Sequence, residues 1–315
     1  MSDVASDARH LPVLPIETLA GLAVQEDGNY IDATFGRGGH SALILDALGQ
    51  TGRLLVIDRD PAAIEVAERR YGQEPRVRIE HGVFSDVGLI AARHGMDGHV
   101  HGVLFDFGVS SPQLDDPSRG FSFRADGALD MRMDSSRGKN AADYIADTSE
   151  RDLARDLARF GEERHARRIA RAIVAARSRA PITRTLELAD IVRAAVPFAR
   201  DNIDPATRSF QAIRIVVNRE LEEIDAALDA TVPMLATGGR LVAISFHSLE
   251  DRRVKQFIRK RSEVPAPYRG LPNVPVEHRP PLRAVGKLVR ASDDEIARNP
   301  RARSARLRIA ERLAA

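Results

Sequence analysis

The chain has 315 residues, of which 43% are hydrophobic and 29% charged. This length is sufficient for one large domain or for a domain with a second one inserted. These fractions exclude general disorder, and the absence of cysteine excludes disulfides, thiolate-bound zinc and a cysteine nucleophile. Because it has neither a long uncharged run nor a signal-peptide layout, we expect a soluble cytoplasmic protein without a membrane partner.

Strands and helices alternate in the first third of the chain. Apolar runs predict four strands, at 29–34, 53–58, 77–80 and 100–106. A helix is predicted between the first two strands, and Asp60 followed by proline is typical of the start of a second helix. This alternation predicts a parallel sheet with helices on both faces.

The alternation stops after the fourth strand. Residues 110–139 hold Gly, Pro, Ser and Asp at turn spacings, which predicts a long loop. Residues 141–196 show helical spacing with a break near Pro181, as expected of an all-helical insertion. One further helix is predicted over 210–228, where apolar residues step by three and four.

The sheet resumes toward the C-terminus. Residues 239–245 are an apolar strand, and a helix is predicted over 249–261. Residues 282–290 and 304–311 alternate apolar and polar side chains. We therefore expect them to pair as antiparallel strands that close the sheet.

A glycine cluster, which includes Gly36, Gly38 and Gly39, lies between the first strand and its helix. Glycine lets the backbone approach a ligand, and the start of a helix offers unpaired N–H groups. Asp58 ends the second strand, where nucleotide-binding sheets hold a ribose. These features indicate an adenosine-containing cofactor but do not decide between NAD and S-adenosylmethionine. Ser41 stands where the dinucleotide motif requires its last glycine, which argues against a dehydrogenase.

Polar side chains follow the fourth strand directly. Asp106 ends it, and Ser110, Ser111 and Gln113 come next on one short segment. An acid, two hydroxyls and an amide can accept hydrogen bonds from an amino group, although an ordinary polar turn has a similar composition. Ligands in open α/β sheets bind at the carboxyl ends of strands where the strand order reverses. Asp106 belongs to that crevice if the fourth strand neighbours the first.

Histidines provide weaker candidates. His247 follows the fifth predicted strand and is either an acid, base or substrate contact, or a structural hydrogen-bonding group. Ser248 and Asp251 next to it have the spacing of a capping box. His99 and His101 alternate on the fourth strand, but no third ligand has a suggestive spacing, so we do not predict a metal site.

Two basic regions are candidates for contact with RNA. The first is a stripe along a predicted helix, made of Arg164, Arg167, Arg168 and Arg171. The second is 251–315, with 17 Lys and Arg against 7 Asp and Glu, although the whole chain has a net charge of only +2. Each is either a phosphate-binding surface or a solvated one. Phe121 and Phe123 either stack a base or anchor their loop.

A series of longer motifs spans nearly the whole chain. They are His10–Leu14, Asp32–Ser41, Ile57–Asp60, Asp106–Leu114, Arg119–Phe123, Leu129–Asp134, Gly161–Arg164, Ala206–Arg214, Ser245–Asp251 and Asn299–Ser304. In these motifs and their order the sequence strongly resembles the bacterial 16S ribosomal RNA cytosine-N4 methyltransferases of the MraW/RsmH type.

The resemblance implies a class I S-adenosylmethionine-dependent methyltransferase, with a Rossmann-like, seven-stranded, mostly parallel sheet and an inserted all-helical domain. We expect methyltransferase parts at 1–114 and 206–315, and a loop plus helical insertion for RNA recognition at 115–205. The cofactor contacts that the resemblance implies fall on Gly38, Gly39, His40, Asp58, Phe84, Asp106 and Gln113.

The resemblance also implies the reaction, which is methylation of the exocyclic N4 of one cytidine in the 16S rRNA of the small ribosomal subunit, in its decoding region. For this reaction the candidate catalytic residues are Asp106, Ser110, Ser111 and His247. The alternatives are a noncatalytic rRNA-binding assembly factor that responds to S-adenosylmethionine and an NAD-dependent oxidoreductase. A homodimer is left open.

Overall fold

The computed structural model describes residues 11–196 and 204–314. His10, the first residue of the motifs above, lies outside them. The chain divides into two compact units, Met1–Gly108 with Leu221–Ala315, and Val109–Glu220. The boundaries expected from the sequence, 115 and 205, lie inside those of the second unit.

The first unit is built on one sheet. Its strands are β1 (Asn29–Asp32), β2 (Arg53–Asp58), β3 (Val77–His81), β4 (Val100–Asp106), β5 (Leu235–Ser245), β6 (Leu282–Val289) and β7 (Arg306–Arg312). They lie in the order β3-β2-β1-β4-β5-β7-β6. The strands from β3 to β5 are parallel, and β7 is antiparallel to both β5 and β6. The predicted sheet, including its antiparallel closing pair, is confirmed.

The described residues form thirteen α-helices. They are α1 (Pro15–Leu22), α2 (Gly39–Ala47), α3 (Pro61–Tyr71), α4 (Val87–Arg93), α5 (Ser111–Asp115), α6 (Ala141–Asp147), α7 (Glu150–Phe160), α8 (Ala166–Arg177), α9 (Thr185–Ala195), α10 (Ala206–Asn218), α11 (Glu220–Met234), α12 (Ser248–Ser262) and α13 (Asp293–Arg298). Within 11–196 and 204–314, none of the helices is long and apolar enough to cross a membrane.

Local sequence explains why the first unit folds this way. The central strands are apolar throughout, and Leu54 and Ile57 of β2 are fully buried, each contributing about 1.5–3 kcal/mol of hydrophobic stabilisation. Asp60 caps α3 because its carboxylate accepts the Ala62 N–H at 3.0 Å, and Pro61 fits the first helical position. As a result β2 ends sharply, with Asp58 at its last position.

The second unit is helical, and two predictions for segments in it or at its boundary need correction. The helix predicted over 210–228 is two helices, because Arg219 takes a left-handed conformation with φ 53° between α10 and α11. The predicted loop 110–139 contains α5 and a 3₁₀ turn at Pro117–Arg119. These turns are short, so they leave no helical period in the sequence.

The loop of the second unit is anchored to its helices by side chains. Phe123 packs edge-on against Phe210 of α10, with ring centroids 4.7 Å apart, and Phe121 is buried. Asn218 donates to the Met131 carbonyl at 2.7 Å. Of the two interpretations of Phe121 and Phe123, the structure supports loop anchors.

Candidate active site

The glycine loop joins β1 to α2 in a tight turn. Gly36 and Gly38 have φ values of 56° and 73°, which favour glycine. A Cβ on Gly38 would lie only 2.6 Å from the Phe35 ring. No side chain of the described residues caps α2 at Gly38, so its N-terminus can accept a ligand.

Asp58 fastens this loop to the end of β2. Its Oδ2 accepts the Gly36 N–H at 2.7 Å, and its Oδ1 accepts the Asp60 N–H at 2.8 Å. Burial, with smaller contributions from the charges of Asp60 and Asp32, raises the pKa of Asp58 to about 6, although these two hydrogen bonds lower it. The carboxyl group is therefore both a structural brace and a titrating group near neutral pH.

Asp32, at the end of β1, is a site residue that the sequence interpretation missed. It is buried, its Oδ2 accepts the Ser41 hydroxyl at 2.6 Å, and its Oδ1 accepts the Thr34 N–H at 3.2 Å. Burial raises its pKa to about 6. The predicted strand 29–34 placed Asp32 inside it, but β1 ends at Asp32, so the acid stands at a strand end as Asp58 does.

The ends of β1 and β4 are joined by a further hydrogen bond. Asp106 donates its backbone N–H to the Thr34 hydroxyl at 2.7 Å. Because β1 and β4 are neighbours and the strand order reverses between them, a crevice opens at their carboxyl ends. Asp106 was expected in this crevice if the fourth strand neighbours the first, and β4 does lie next to β1.

Asp106 and His40 face each other as uncharged groups. Burial raises the pKa of Asp106 to about 8, with further contributions from the Asp32 and Glu250 carboxylates, and burial lowers the pKa of His40 to about 4. Their contact, 3.7 Å between His40 Nε2 and Asp106 Oδ2, is too long for a hydrogen bond.

These two side chains also carry unused hydrogen-bonding atoms. Asp106 Oδ1 and both ring nitrogens of His40 are buried without a hydrogen-bond partner among the described residues. The Asp106 side chain as a whole is 25% exposed. Because unsatisfied buried polar groups are costly, such a pair is a candidate for contact with a polar ligand.

His247 lies at the end of β5 and serves as the N-cap of α12. Its Nε2 is 3.1 Å from Glu250 Oε1, and Glu250 Oε2 accepts the N–H groups of Phe246 and His247. The capping box is therefore His247 with Glu250, and the predicted box of Ser248 with Asp251 is wrong. Asp251 instead accepts a 2.7 Å hydrogen bond from Arg308 of β7.

Phe84 follows β3 and opens a 3₁₀ turn. Its ring contacts Phe105 and Phe107, with centroids 6.2 and 5.6 Å away, and those two rings stack on each other. The half-buried Phe84 therefore presents an apolar surface beside the end of β4. Apolar surface of this kind suits the face of a purine ring.

Three predicted site residues belong to the second unit. Ser110 precedes α5, Ser111 is its first residue, and Gln113 is buried in it. The Ser110 N–H donates to Gln113 Oε1 at 2.9 Å. This carbonyl oxygen thus helps to begin the helix, and the functional roles of all three residues stay predictions.

The histidines before and in β4 have local structural surroundings. His99 precedes the strand rather than alternating with His101 along it. The Asn29 N–H donates to His101 Nδ1 at 3.0 Å.

The strand order, the glycine loop after β1 and the carboxylates that end β1, β2 and β4 fit a nucleotide-binding α/β enzyme, and the family match shows that it is an S-adenosylmethionine-dependent methyltransferase. The chain belongs to the MraW methylase family, whose model matches residues 7–313.

Relatives of nearly equal length support this assignment. The ribosomal RNA small subunit methyltransferase H of Xylella fastidiosa is 53% identical over 309 residues, which cover 96% of this chain and 97% of that protein. The protein of the same name from Shewanella woodyi is 51% identical over 312 residues, covering 98% and 99%.

Solved structures are more distant. An rRNA-methylase from Clostridium thermocellum has a TM-score of 0.45 and 12% identity, covering 96% of this chain and 99% of its own. A Streptococcus mutans methyltransferase in complex with SAH has a TM-score of 0.42 and 12% identity, covering 96% and 100%. At these scores the likeness carries no argument about the site.

Proposed function

We propose that this protein transfers a methyl group from S-adenosylmethionine to the exocyclic N4 of a cytidine in the 16S rRNA of the small ribosomal subunit. Membership of the MraW methylase family and the relatives named above support this proposal. The observation that carries it is Asp106 at the carboxyl end of β4, whose Oδ1 is buried and has no hydrogen-bond partner in the part of the chain that the structure describes.

The cofactor would be held at the carboxyl ends of β1, β2, β3 and β4. The residues proposed to hold it are Gly38, Gly39, His40, Asp58, Phe84, Asp106 and Gln113. Asp58 would accept hydrogen bonds from the ribose hydroxyls, and Phe84 would lie against the adenine. When bound, S-adenosylmethionine supplies an electrophilic methyl group on its sulfonium.

The protein's main task at the acceptor is to position and activate a weak nucleophile. The N4 lone pair is delocalised into the cytosine ring, so acceptors for the amino hydrogens favour a pyramidal nitrogen. Asp106 and the hydroxyls of Ser110 and Ser111 would supply these acceptors. When ionised, Asp106 is a stronger base than an ordinary aspartate because its pKa is raised to about 8.

His247 would contact the base or relay the released proton. Its ring lies beside Glu250, and the side chain is only 12% exposed. Most of the rate acceleration would come from holding the two reactants in line, since methyl transfer from a sulfonium needs no covalent enzyme intermediate.

The second unit and the basic C-terminal segment would hold the RNA. The target cytidine must be unstacked before its amino group can enter a crevice, so the surrounding RNA needs contacts of its own. The proposed recognition domain is 115–205, and the proposed location is the cytoplasm. Neither family membership nor the relatives favour the NAD-dependent or noncatalytic alternatives, and a homodimer has no support.

The test is nucleoside mass spectrometry of RNA incubated with the protein and labelled S-adenosylmethionine. Unmethylated small subunits and deproteinised 16S rRNA would serve as parallel substrates. We expect the label in N4-methylcytidine or its 2′-O-methylated form. Absence of label from both substrates, with S-adenosylmethionine binding confirmed, would overturn the proposal.

A further inference from the structure

An arginine-lined cavity of about 750 Å³ lies within the second unit. We call it the arginine groove, and the six arginines that line it are Arg151, Arg155, Arg164, Arg167, Arg168 and Arg171. The first two belong to α7, and the others to α8 and the turn before it. Among the residues that the structure describes, two carboxylates share the lining, those of Glu150 and Glu163.

Helical spacing explains the shape of the groove. On α7 the lining positions Arg151, Ala154, Arg155 and Ala158 fall on one face, and the small alanines leave room between the helices. On α8 the opposite face is anchored, because Ile169 and Ile173 are fully buried. The arginines of α8 are therefore held toward solvent by the packing of the helix.

Four of the six arginines form no ion pair with the residues that the structure describes. Arg155 binds Asp152 and Asp156, and Arg171 lies 3.8 Å from Glu150. For the other four, the described part of the chain provides no hydrogen bond to the guanidinium and no ion pair. They are Arg151, Arg164, Arg167 and Arg168.

Other arginines of the same unit are neutralised. Arg132 binds Asp130 at 2.8 Å, Arg184 binds Asp126 at 2.7 Å, and Arg214 binds Glu220 at 2.8 Å. Unneutralised like charges in a concave site repel one another and focus a positive potential into it. The groove is thus arranged for an anionic ligand.

We propose that the arginine groove binds the sugar–phosphate backbone of the small-subunit rRNA, an inference that rests on the proposed function. Guanidinium groups pair with phosphate oxygens bidentately, and several in a row match a chain of phosphates better than one small anion. Within 11–196 and 204–314, no Phe, Tyr or Trp lines the groove to stack a base. The groove therefore contacts backbone phosphates rather than reading sequence.

The experiment measures the affinity of the full-length protein for deproteinised, unmethylated 16S rRNA over a series of salt concentrations. The variant combines Arg164→Gln, Arg167→Gln and Arg168→Gln. We expect binding about 100-fold weaker at about 0.1 M salt, and a slope of log Kd against log salt that is lower by about 2. In methylation assays the KM for rRNA rises and kcat is unchanged.

A charge-matched control combines Arg124→Gln, Arg159→Gln and Arg179→Gln. These three exposed arginines belong to the same unit but do not line the groove. Equal losses in both triple variants would assign the effect to net charge and overturn the proposal. Normal binding of rRNA by the groove variant would overturn it as well, as would a loss confined to assembled subunits, which would indicate an acidic protein partner.

A second pair of variants tests the proposal if the triple arginine variant does not fold. Ala158 is exposed on α7, so Ala158→Glu adds a negative charge to the groove and Ala158→Gln adds only bulk. We expect Ala158→Glu to weaken rRNA binding several-fold more than Ala158→Gln. Equal effects of the two variants would contradict the proposal that the groove binds rRNA.

Methylation by the unaltered protein, compared with rRNA binding by the groove variant, distinguishes failure of this proposal from failure of the proposed function. If it forms N4-methylcytidine while the groove variant binds rRNA normally, the groove alone is wrong. If it forms none while the groove variant still loses salt-dependent rRNA binding, the groove stands and the proposed reaction fails.

Discussion

The crevice of the first unit and the arginine groove of the second treat charge in opposite ways. In the crevice, Asp106 and His40 are held neutral by burial, and Asp32 and Asp58 titrate near pH 6. In the groove the guanidinium groups are exposed, and four of the six form no ion pair with the described residues.

The crevice and the groove therefore act on their ligands through different interactions. Buried, uncharged groups act over hydrogen-bond distances, and dissolved salt screens them little. Exposed cations act through a field that reaches about 10 Å at 0.1 M salt, and salt weakens it. We therefore expect salt to raise the KM for rRNA and to leave the methyl-transfer step nearly unchanged.

The largest expected effect comes from Asp106→Asn. The amide keeps the shape of the side chain but cannot take a proton, so kcat should fall about 100-fold or more. Single-turnover incorporation of labelled methyl groups into 16S rRNA measures this. The salt dependence of rRNA binding should match that of the unaltered protein.

The matched control for this change is Asp97→Asn, which removes an exposed carboxylate in the segment before β4. Turnover and cofactor affinity at parental levels in Asp106→Asn would exclude Asp106 from the chemistry.

The next effect concerns Asp58 and cofactor binding. Loss of a charged hydrogen-bond acceptor for the ribose in Asp58→Asn should weaken S-adenosylmethionine binding about 30-fold, measured by titration calorimetry at neutral pH. The control Asp46→Asn, on the exposed side of α2, should bind normally.

A further prediction concerns how S-adenosylmethionine binding depends on pH in the unaltered protein and in Asp58→Asn. The pKa of Asp58 in the ligand-free chain is about 6, so the binding-competent carboxylate becomes protonated as the pH falls. One pH unit below that pKa, affinity should be about tenfold weaker than its high-pH plateau. A full pH dependence that persists in Asp58→Asn would assign the titration to another group, with Asp32 the first candidate.

The smallest expected effect is a gain in the groove. Glu150→Gln removes the carboxylate that lies 3.8 Å from Arg171, so rRNA should bind about two- to fivefold more tightly at low salt. Fluorescence anisotropy with a labelled 16S rRNA fragment measures the change. Asp147→Asn, which removes an exposed acid outside the groove, is the control, and an equal gain there would argue against a local effect.

Much of the fold could be predicted because its strands are local apolar runs. The bounds of β2 and β4 agree with the predicted ranges to the residue. The helices α1 and α4 gave no clear pattern, and the break at Arg219 was missed because the apolar spacing continues across it. A left-handed residue other than glycine has no reliable local signal.

The candidate site was predictable in part for the same reason. Asp58 and Asp106 were identified because an acid after a buried strand stands out in the sequence. Asp32 was not, because the predicted strand continued to residue 34, whereas β1 ends at Asp32. Asp32 also contributes to the raised pKa of Asp106. The arginine stripe was visible as a helical pattern, but its concave lining depends on residues contributed by α7.

By itself, the sequence determined the alternation of strands and helices, the acids at strand ends and the positions of the arginines. Only the tertiary structure decided which of these groups are charged and which have partners. The Asp106 backbone bonds to Thr34, 72 residues earlier, and Asp251 bonds to Arg308, 57 residues later. Proton affinity and ion pairing depend on burial and on charges within a few ångströms, and segments distant in the chain supply both.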